Sequence, residues 1–218
     1  MRRILCLLAV LGGVEPAAAI GPPINTDTPI TLGFAGRGVR TFAKVIRASV
    51  GDRGITTTLW PLAIPFNVTT KMVVGIVVPT LFKEIDSGSE SVSSSGLGDV
   101  SLFAKYVLVQ IDRPGETLRL APKVVLKLPT GEDEASPALG SGSTDVSLGA
   151  VGAWLRGRPG IYGEALLQKR GESSGREFGR GLLYNVAFAY RVLPAVYRTY
   201  PARQVNAYLE FNGSWTAR

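Results

Sequence analysis

The stretch Asp99-Val100-Ser101-Leu102-Phe103-Ala104-Lys105-Tyr106-Val107-Leu108 decides the fold. Its even positions, from Val100 to Leu108, are all apolar, whereas the odd ones include Asp99, Ser101 and Lys105. Side chains alternate across a strand but recur every 3.6 residues on a helix, so this segment is a strand with one apolar and one mixed face. The next segment repeats the pattern, with Leu118, Leu120, Pro122, Val124, Leu126 and Leu128 set against Thr117, Arg119, Lys123 and Lys127. So do residues 182–192, where Leu182, Tyr184, Val186, Phe188, Tyr190 and Val192 oppose Asn185 and Arg191, and residues 205–215, where Val205, Leu209, Phe211 and Trp215 oppose Glu210 and Asn212. Weaker alternation runs through 72–78 and 146–154, and strands are expected at 54–63 and 160–168. Residues 38–50 read as a strand, although Arg37, Arg40, Lys44 and Arg47 also fall at helical spacing.

This gives nine strands, several of ten or more residues. Strands of soluble domains cluster near ~5–6 residues, whereas ~9–11 tilted residues cross a bilayer. The connections alternate as well: 82–97, 129–143 and 168–180 are long and hydrophilic, while 64–69, 111–116 and 155–159 are short. Outer-membrane barrels have short periplasmic turns and long external loops. Trp60, Tyr106, Trp154 and Tyr190 lie near the expected short turns, as one girdle of an aromatic belt.

The N-terminus agrees with export. Arg2 and Arg3 precede an apolar run from Ile4 to Val14, then Glu15, Pro16 and Ala17-Ala18-Ala19, which is the order of a secretory signal. Residues 1–19 are therefore expected to be removed and 20–218 to form one barrel domain; the single cysteine, Cys6, leaves with the signal. The chain has no histidine, which excludes Ser-His-Asp triads, Cys/His nucleophile pairs and zinc fingers.

Positive mean hydropathy is not due to a spanning helix, because no apolar run approaches ~20 residues. The +7 formal charge does not point to nucleic acid, since the basic residues are spread along strands without an arginine-rich helix or an aromatic platform. Gly140-Ser141-Gly142-Ser143-Thr144 lacks the lysine of a phosphate-cradling loop. Glu132, Asp133 and Glu134 read as a solvated loop in preference to a cation site. No cofactor, metal or catalytic constellation is expected.

The expected fold is all-β, an antiparallel up-and-down transmembrane β-barrel. Bacterial barrels use even strand numbers, so about nine strands are read as part of a roughly 12-stranded barrel whose C-terminal strands lie beyond Arg218. The mixed parity should line the lumen: Lys71, Asp99, Lys105, Arg119, Lys123, Lys127, Asp145, Glu164, Arg191 and Glu210. Six positive against four negative groups imply a modest preference for anions.

Ser94-Ser95-Gly96-Leu97-Gly98-Asp99-Val100-Ser101-Leu102, then Leu126-Lys127-Leu128-Pro129-Thr130-Gly131 and Gly140-Ser141-Gly142-Ser143-Thr144-Asp145, together resemble the outer-membrane family described as the putative MetA pathway of phenol degradation. Leu62-Ala63-Ile64-Pro65-Phe66-Asn67-Val68-Thr69 and Leu209-Glu210-Phe211-Asn212-Gly213 extend the resemblance over most of 54–215. It implies a channel-type barrel linked to aromatic-compound metabolism, with chains that continue past the Glu-x-Asn-Gly segment. The leading expectation is a non-enzymatic outer-membrane channel for small solutes, aromatic or phenolic compounds among them, in contact with outer-membrane lipid and lipopolysaccharide. A soluble exported binding barrel and an outer-membrane lipid-modifying enzyme are the alternatives.

Overall fold

A computed structural model of the chain describes residues 5–9, 23–51, 53–88, 90–173, 176–177, 179–196 and 203–217. Among them every regular element is a strand, and thirteen strands form one antiparallel sheet. Its main path follows the chain: β1 (Ala43–Val50), β2 (Arg53–Asn67), β3 (Met72–Asp86), β4 (Ser101–Tyr106), β5 (Glu116–Lys127), β6 (Asp145–Arg156), β7 (Pro159–Lys169), β8 (Arg180–Leu193) and β9 (Val205–Thr216). Each strand pairs with its sequence neighbours, which is an up-and-down meander. The sheet curls about an interior but stays open, because β1 and β9 do not pair with each other. The backbone of Leu5–Ala9 runs along the free edge of β1; the rest of the expected signal segment lies outside the described residues.

Period two sorts the side chains as the pleat requires. Leu102 and Leu120 are more than two-fifths exposed, as are Phe188 and Leu209 on the far strands. The opposite parity is enclosed: Ala121, Val151, Tyr162 and Ala187 are fully buried, and the polar Lys105, Glu164, Asn185 and Arg191 are nearly so. A water-soluble protein places its large apolar residues inside and its charges outside. Here the arrangement is inverted.

The chain is more regular than its hydrophilic stretches suggest. Residues 82–97 are not a loop: β3 runs to Asp86, and Ser91–Leu97 folds back on it in register from Thr80↔Leu97 to Asp86↔Ser91. Ladder hydrogen bonds are made by the backbone, so a Ser/Gly arm can pair without showing an apolar period. The turn expected at 111–116 shrinks to Pro114-Gly115, because Val109–Arg113 pairs with the start of β5. The expected loop at 168–180 contains the small hairpin of Glu172–Ser173 and Arg176–Glu177. Residues 38–50 are extended, with Arg40–Thr41 and then β1 both pairing with β2. β2 continues to Asn67 through Pro61 and Pro65, so the turn expected at 64–69 is displaced to 67–72. Trp60 thus lies seven residues from that turn and does not share the end of the sheet occupied by Tyr106, Trp154 and Tyr190.

Candidate functional site

The interior is occupied by the chain's own segment Pro23–Leu32. Its sequence, Pro-Ile-Asn-Thr-Asp-Thr-Pro-Ile-Thr-Leu, has no period of two or 3.6. Its prolines cannot donate to a ladder, and the segment is satisfied by the barrel wall instead of by a neighbouring strand. Glu210 on β9 receives hydrogen bonds from the backbone N–H groups of Ile24 (2.5 Å), Asn25 (2.9 Å) and Thr26 (3.0 Å), and from the Thr26 hydroxyl (3.1 Å). Arg40 donates to the carbonyls of Pro23 and Ile24, and Lys44 donates to the Asn25 amide oxygen. One end of the segment therefore bridges β9 and the opposite side of the sheet, at Arg40 and β1. Farther along, Ile30 packs on the buried cluster of Ala153, Leu155, Tyr162, Ala187 and Ala189. The Thr31 hydroxyl reaches the Thr70 carbonyl at the 67–72 turn. Pro23, Thr26 and Pro29 are fully enclosed.

Asp27 is the centre of the segment's polar contacts. Its carboxylate meets Lys105 Nζ at 2.8 Å and Lys123 Nζ at 2.9 Å; Lys123 also meets Glu164 at 2.7 Å, and Glu164 accepts from Asn185 at 2.8 Å. The chain Lys105–Asp27–Lys123–Glu164–Asn185 thus ties β4, β5, β7 and β8 to the interior segment. Burial alone would raise the Asp27 carboxyl, but the two ammonium groups outweigh it and hold the group well below the usual carboxylate range. Both lysine nitrogens lie over the Phe103 ring, 5.8 and 5.7 Å from its centre.

A second polar knot closes the end of the sheet that carries the long connections. Lys127 meets Asp99 at 3.3 Å and Asp145 at 2.7 Å. Asp99 accepts from the N–H and hydroxyl of Ser141 and from the N–H of Gly131, while Asp145 accepts from Ser143 and Gly171. Burial would raise Asp99 too, but these bonds keep it below its ordinary value. The Gly-Ser-rich stretch 140–144, which lacks the lysine of a phosphate-cradling loop, thus binds the protein's own carboxylates. Gly131 and Gly140 sit backbone to backbone, and a Cβ on either would strike the other. The motifs around Gly98-Asp99, Thr130-Gly131 and Gly140–Asp145 are accordingly one clasp.

The remaining expected lining residues are placed separately. Arg119 pairs with Asp112 at 3.1 Å near the 67–72 turn, where Lys71 is exposed beside Thr31, Gln110 and Asp112. Arg191 is buried and donates to the Pro194 carbonyl, and Glu210 holds the interior segment as described. Of the ten residues, Lys105, Lys123 and Glu164 form one network and Asp99, Lys127 and Asp145 another. Asp27 escaped the sequence reading because it lies outside any periodic segment; its one signal was an acidic residue in a proline-bounded stretch just after the expected cleavage point. Among the described residues no cluster of His, Cys, Asp and Glu could hold a metal ion, and Glu132, Asp133 and Glu134 are exposed. Among the described residues no helix is long and apolar enough to cross a membrane, which says nothing of a β-barrel.

Between the interior segment and β2–β5 lies a cavity of about 290 Å³, walled by Phe42, Pro61, Val73, Val77 and Phe103, with Asp27, Lys105 and Lys123 on one side. Asn67 also faces it. No curated protein matches the chain. The family model described as "Putative MetA-pathway of phenol degradation" matches residues 36–209, a span that includes the clasp and eight complete strands from β1 to β8, and the chain belongs to that family.

Proposed function

We propose that the protein is a passive channel of the bacterial outer membrane, exported through its N-terminal signal, that passes small solutes and catalyses no reaction. The observation that carries this reading is the inversion of the sheet: apolar residues such as Leu102, Leu148, Leu167 and Phe188 face outward, whereas Lys105, Glu164, Asn185 and Arg191 are enclosed. In hydrocarbon every backbone polar group must be paired internally, which this curled antiparallel sheet does for the strands between its two edges. Outer-membrane lipid and lipopolysaccharide would cover the apolar face. The family's description makes aromatic or phenolic compounds the first solutes to test.

The interior segment supports a gated conduit more than an open pore. It is held by ion pairs and backbone hydrogen bonds, with no ladder and no covalent link. Such contacts can be lost without unfolding the sheet around them. The test is extraction followed by planar-bilayer recording. A channel requires detergent for extraction and gives discrete conductance steps; recovery in the aqueous periplasmic fraction with no conductance overturns the reading.

A further inference from the structure

The cavity beside the interior segment contains an anomaly that the channel reading does not use. Asn67 ends β2 and is only 1% exposed, yet neither its side-chain oxygen nor its side-chain nitrogen has a hydrogen-bond partner. Its backbone N–H donates to the Gly36 carbonyl, so the residue is held in place while its side-chain amide is left open. Buried amides in folded proteins are nearly always paired, and an unpaired one signals a group awaiting a partner. Asn67 lines the cavity with an amide that can both donate, through its NH2, and accept, through its oxygen.

Most of the remaining wall is apolar, with Asn25, Asp27, Thr28, Arg40, Lys105 and Lys123 gathered on the far side. Phe42, Pro61, Val73, Val77 and Phe103 supply the walls. Its volume of about 290 Å³ exceeds the ~150 Å³ of an apolar cavity that admits benzene. Gly75, directly opposite Phe103 in the β3–β4 register, leaves the room that the Phe103 ring occupies, since a Cβ there would collide with it.

The charges on the far side are already committed. Lys105 and Lys123 are held by Asp27 and Glu164, and Arg40 donates to the carbonyls of Pro23 and Ile24. An organic anion would have to compete with Asp27 for the lysines, and an organic cation would meet two ammonium groups. An uncharged ligand meets neither obstacle. A hydroxyl that both donates and accepts matches the open amide of Asn67.

We propose that this cavity is a binding site for an uncharged single-ring aromatic molecule bearing one hydroxyl group, with the ring beside Phe103 and the hydroxyl on the Asn67 amide. The site rests on the channel reading, which it deepens by assigning a stopping point on the conduit and the charge state of the solute.

The test uses the full protein in detergent and the probes 4-fluorophenol, fluorobenzene and 4-fluorobenzoate, followed by fluorine NMR. Saturable binding is expected for 4-fluorophenol, with 4-fluorobenzoate at least about tenfold weaker. Asn67→Leu should weaken 4-fluorophenol about tenfold and leave fluorobenzene unchanged or tighter, because only the hydrogen bond is removed. Val77→Trp, which fills the cavity, should abolish saturable binding of both and decides the matter if the Asn67 variant does not fold. Equal binding of 4-fluorobenzoate, an Asn67→Leu variant that binds 4-fluorophenol normally, or binding that survives Val77→Trp overturns the site. Bilayer recording on the same preparation separates the two readings. A conducting protein without saturable 4-fluorophenol binding loses the site and keeps the channel, whereas Asn67-dependent binding in a non-conducting protein loses the channel and keeps the site.

Discussion

Lys105 and Asp27, 78 positions apart in the chain, meet at 2.8 Å in the interior, where the Lys105 side chain is only 6% exposed. The same carboxylate receives Lys123 from the adjoining strand, so one acidic residue on an irregular segment clamps two strands from inside. Removing one member of a buried pair is costly because the other charge is left without compensation. The position of Pro23–Leu32 therefore depends on Asp27 more than on any apolar contact it makes.

Asp27→Asn should release the segment while leaving the sheet intact. The loss should fall at the lower end of the ~3–5 kcal/mol typical of broken buried pairs, since the Asp27 side chain retains 22% exposure. Single-channel conductance should rise, and a cysteine at Thr28 should become reactive to a polar thiol reagent. Unchanged conductance and labelling would show that the segment does not obstruct the path.

Acid should open the channel late. The Asp27 carboxyl titrates well below its ordinary value of 3.8, so the stabilisation it supplies is complete above that value and is lost only as the pH falls from there toward the lowered one. Conductance should hold steady from about pH 8 to about pH 5 and climb below about pH 3.5, the shift being absent in Asp27→Asn. Opening between about pH 6 and about pH 5 in the wild type would place the switch on another group.

The nine principal strands, their order and the apolar face were legible because period two is a local property, repeated in Val100–Leu108, Leu118–Leu128 and Leu182–Val192, whereas the four further strands of the sheet were not counted. The arm at Ser91–Leu97 was not, since backbone pairing leaves no mark on polar side chains. The interior segment was invisible for a different reason. Its partners Glu210, Arg40, Lys105 and Lys123 are remote in sequence, and nothing local to Asp27 selects them. Asn185 shows the limit of parity alone: it reads as a tolerant wet position, yet it is buried and bound to Glu164.

The outward face should resist charge. Phe188 is 46% exposed, sits in the middle of β8 and meets Phe211, whereas Leu102, 41% exposed beside Leu126, is the second residue of β4. Arginine at Phe188 should cost about 2–4 kcal/mol in lipid, as at the midplane of other barrels, and arginine at Leu102, nearer a strand end, somewhat less. Gln168→Arg, on the inner parity near the end of β7, should cost less than about 1 kcal/mol. Urea titrations in bilayers read the difference, and equal losses for both sets would remove lipid from the outer face.

Selectivity should follow the ion-pair networks and not the simple tally of charges. Counting six basic against four acidic residues on the inner parity implies a modest anion preference, but Asp27 and Asp112 add acidic partners that this tally omits. Lys123 is balanced by Asp27 and Glu164, and Lys127 by Asp99 and Asp145. The wild type should therefore discriminate little between potassium and chloride. Each lysine faces two carboxylates, so removing one lysine uncovers an acidic pair. Lys127→Gln should shift the reversal potential toward cations, because the Asp99–Asp145 clasp is partly open to solvent and its field reaches passing ions with weak screening. Lys123→Met should do the same only if the path runs past Asp27, and it should also loosen the interior segment and raise conductance. The measurement is the reversal potential across a planar bilayer under a potassium chloride gradient. A strongly anion-selective wild type, or a Lys127→Gln variant with an unchanged potential, would show that the clasp does not face the conducting path.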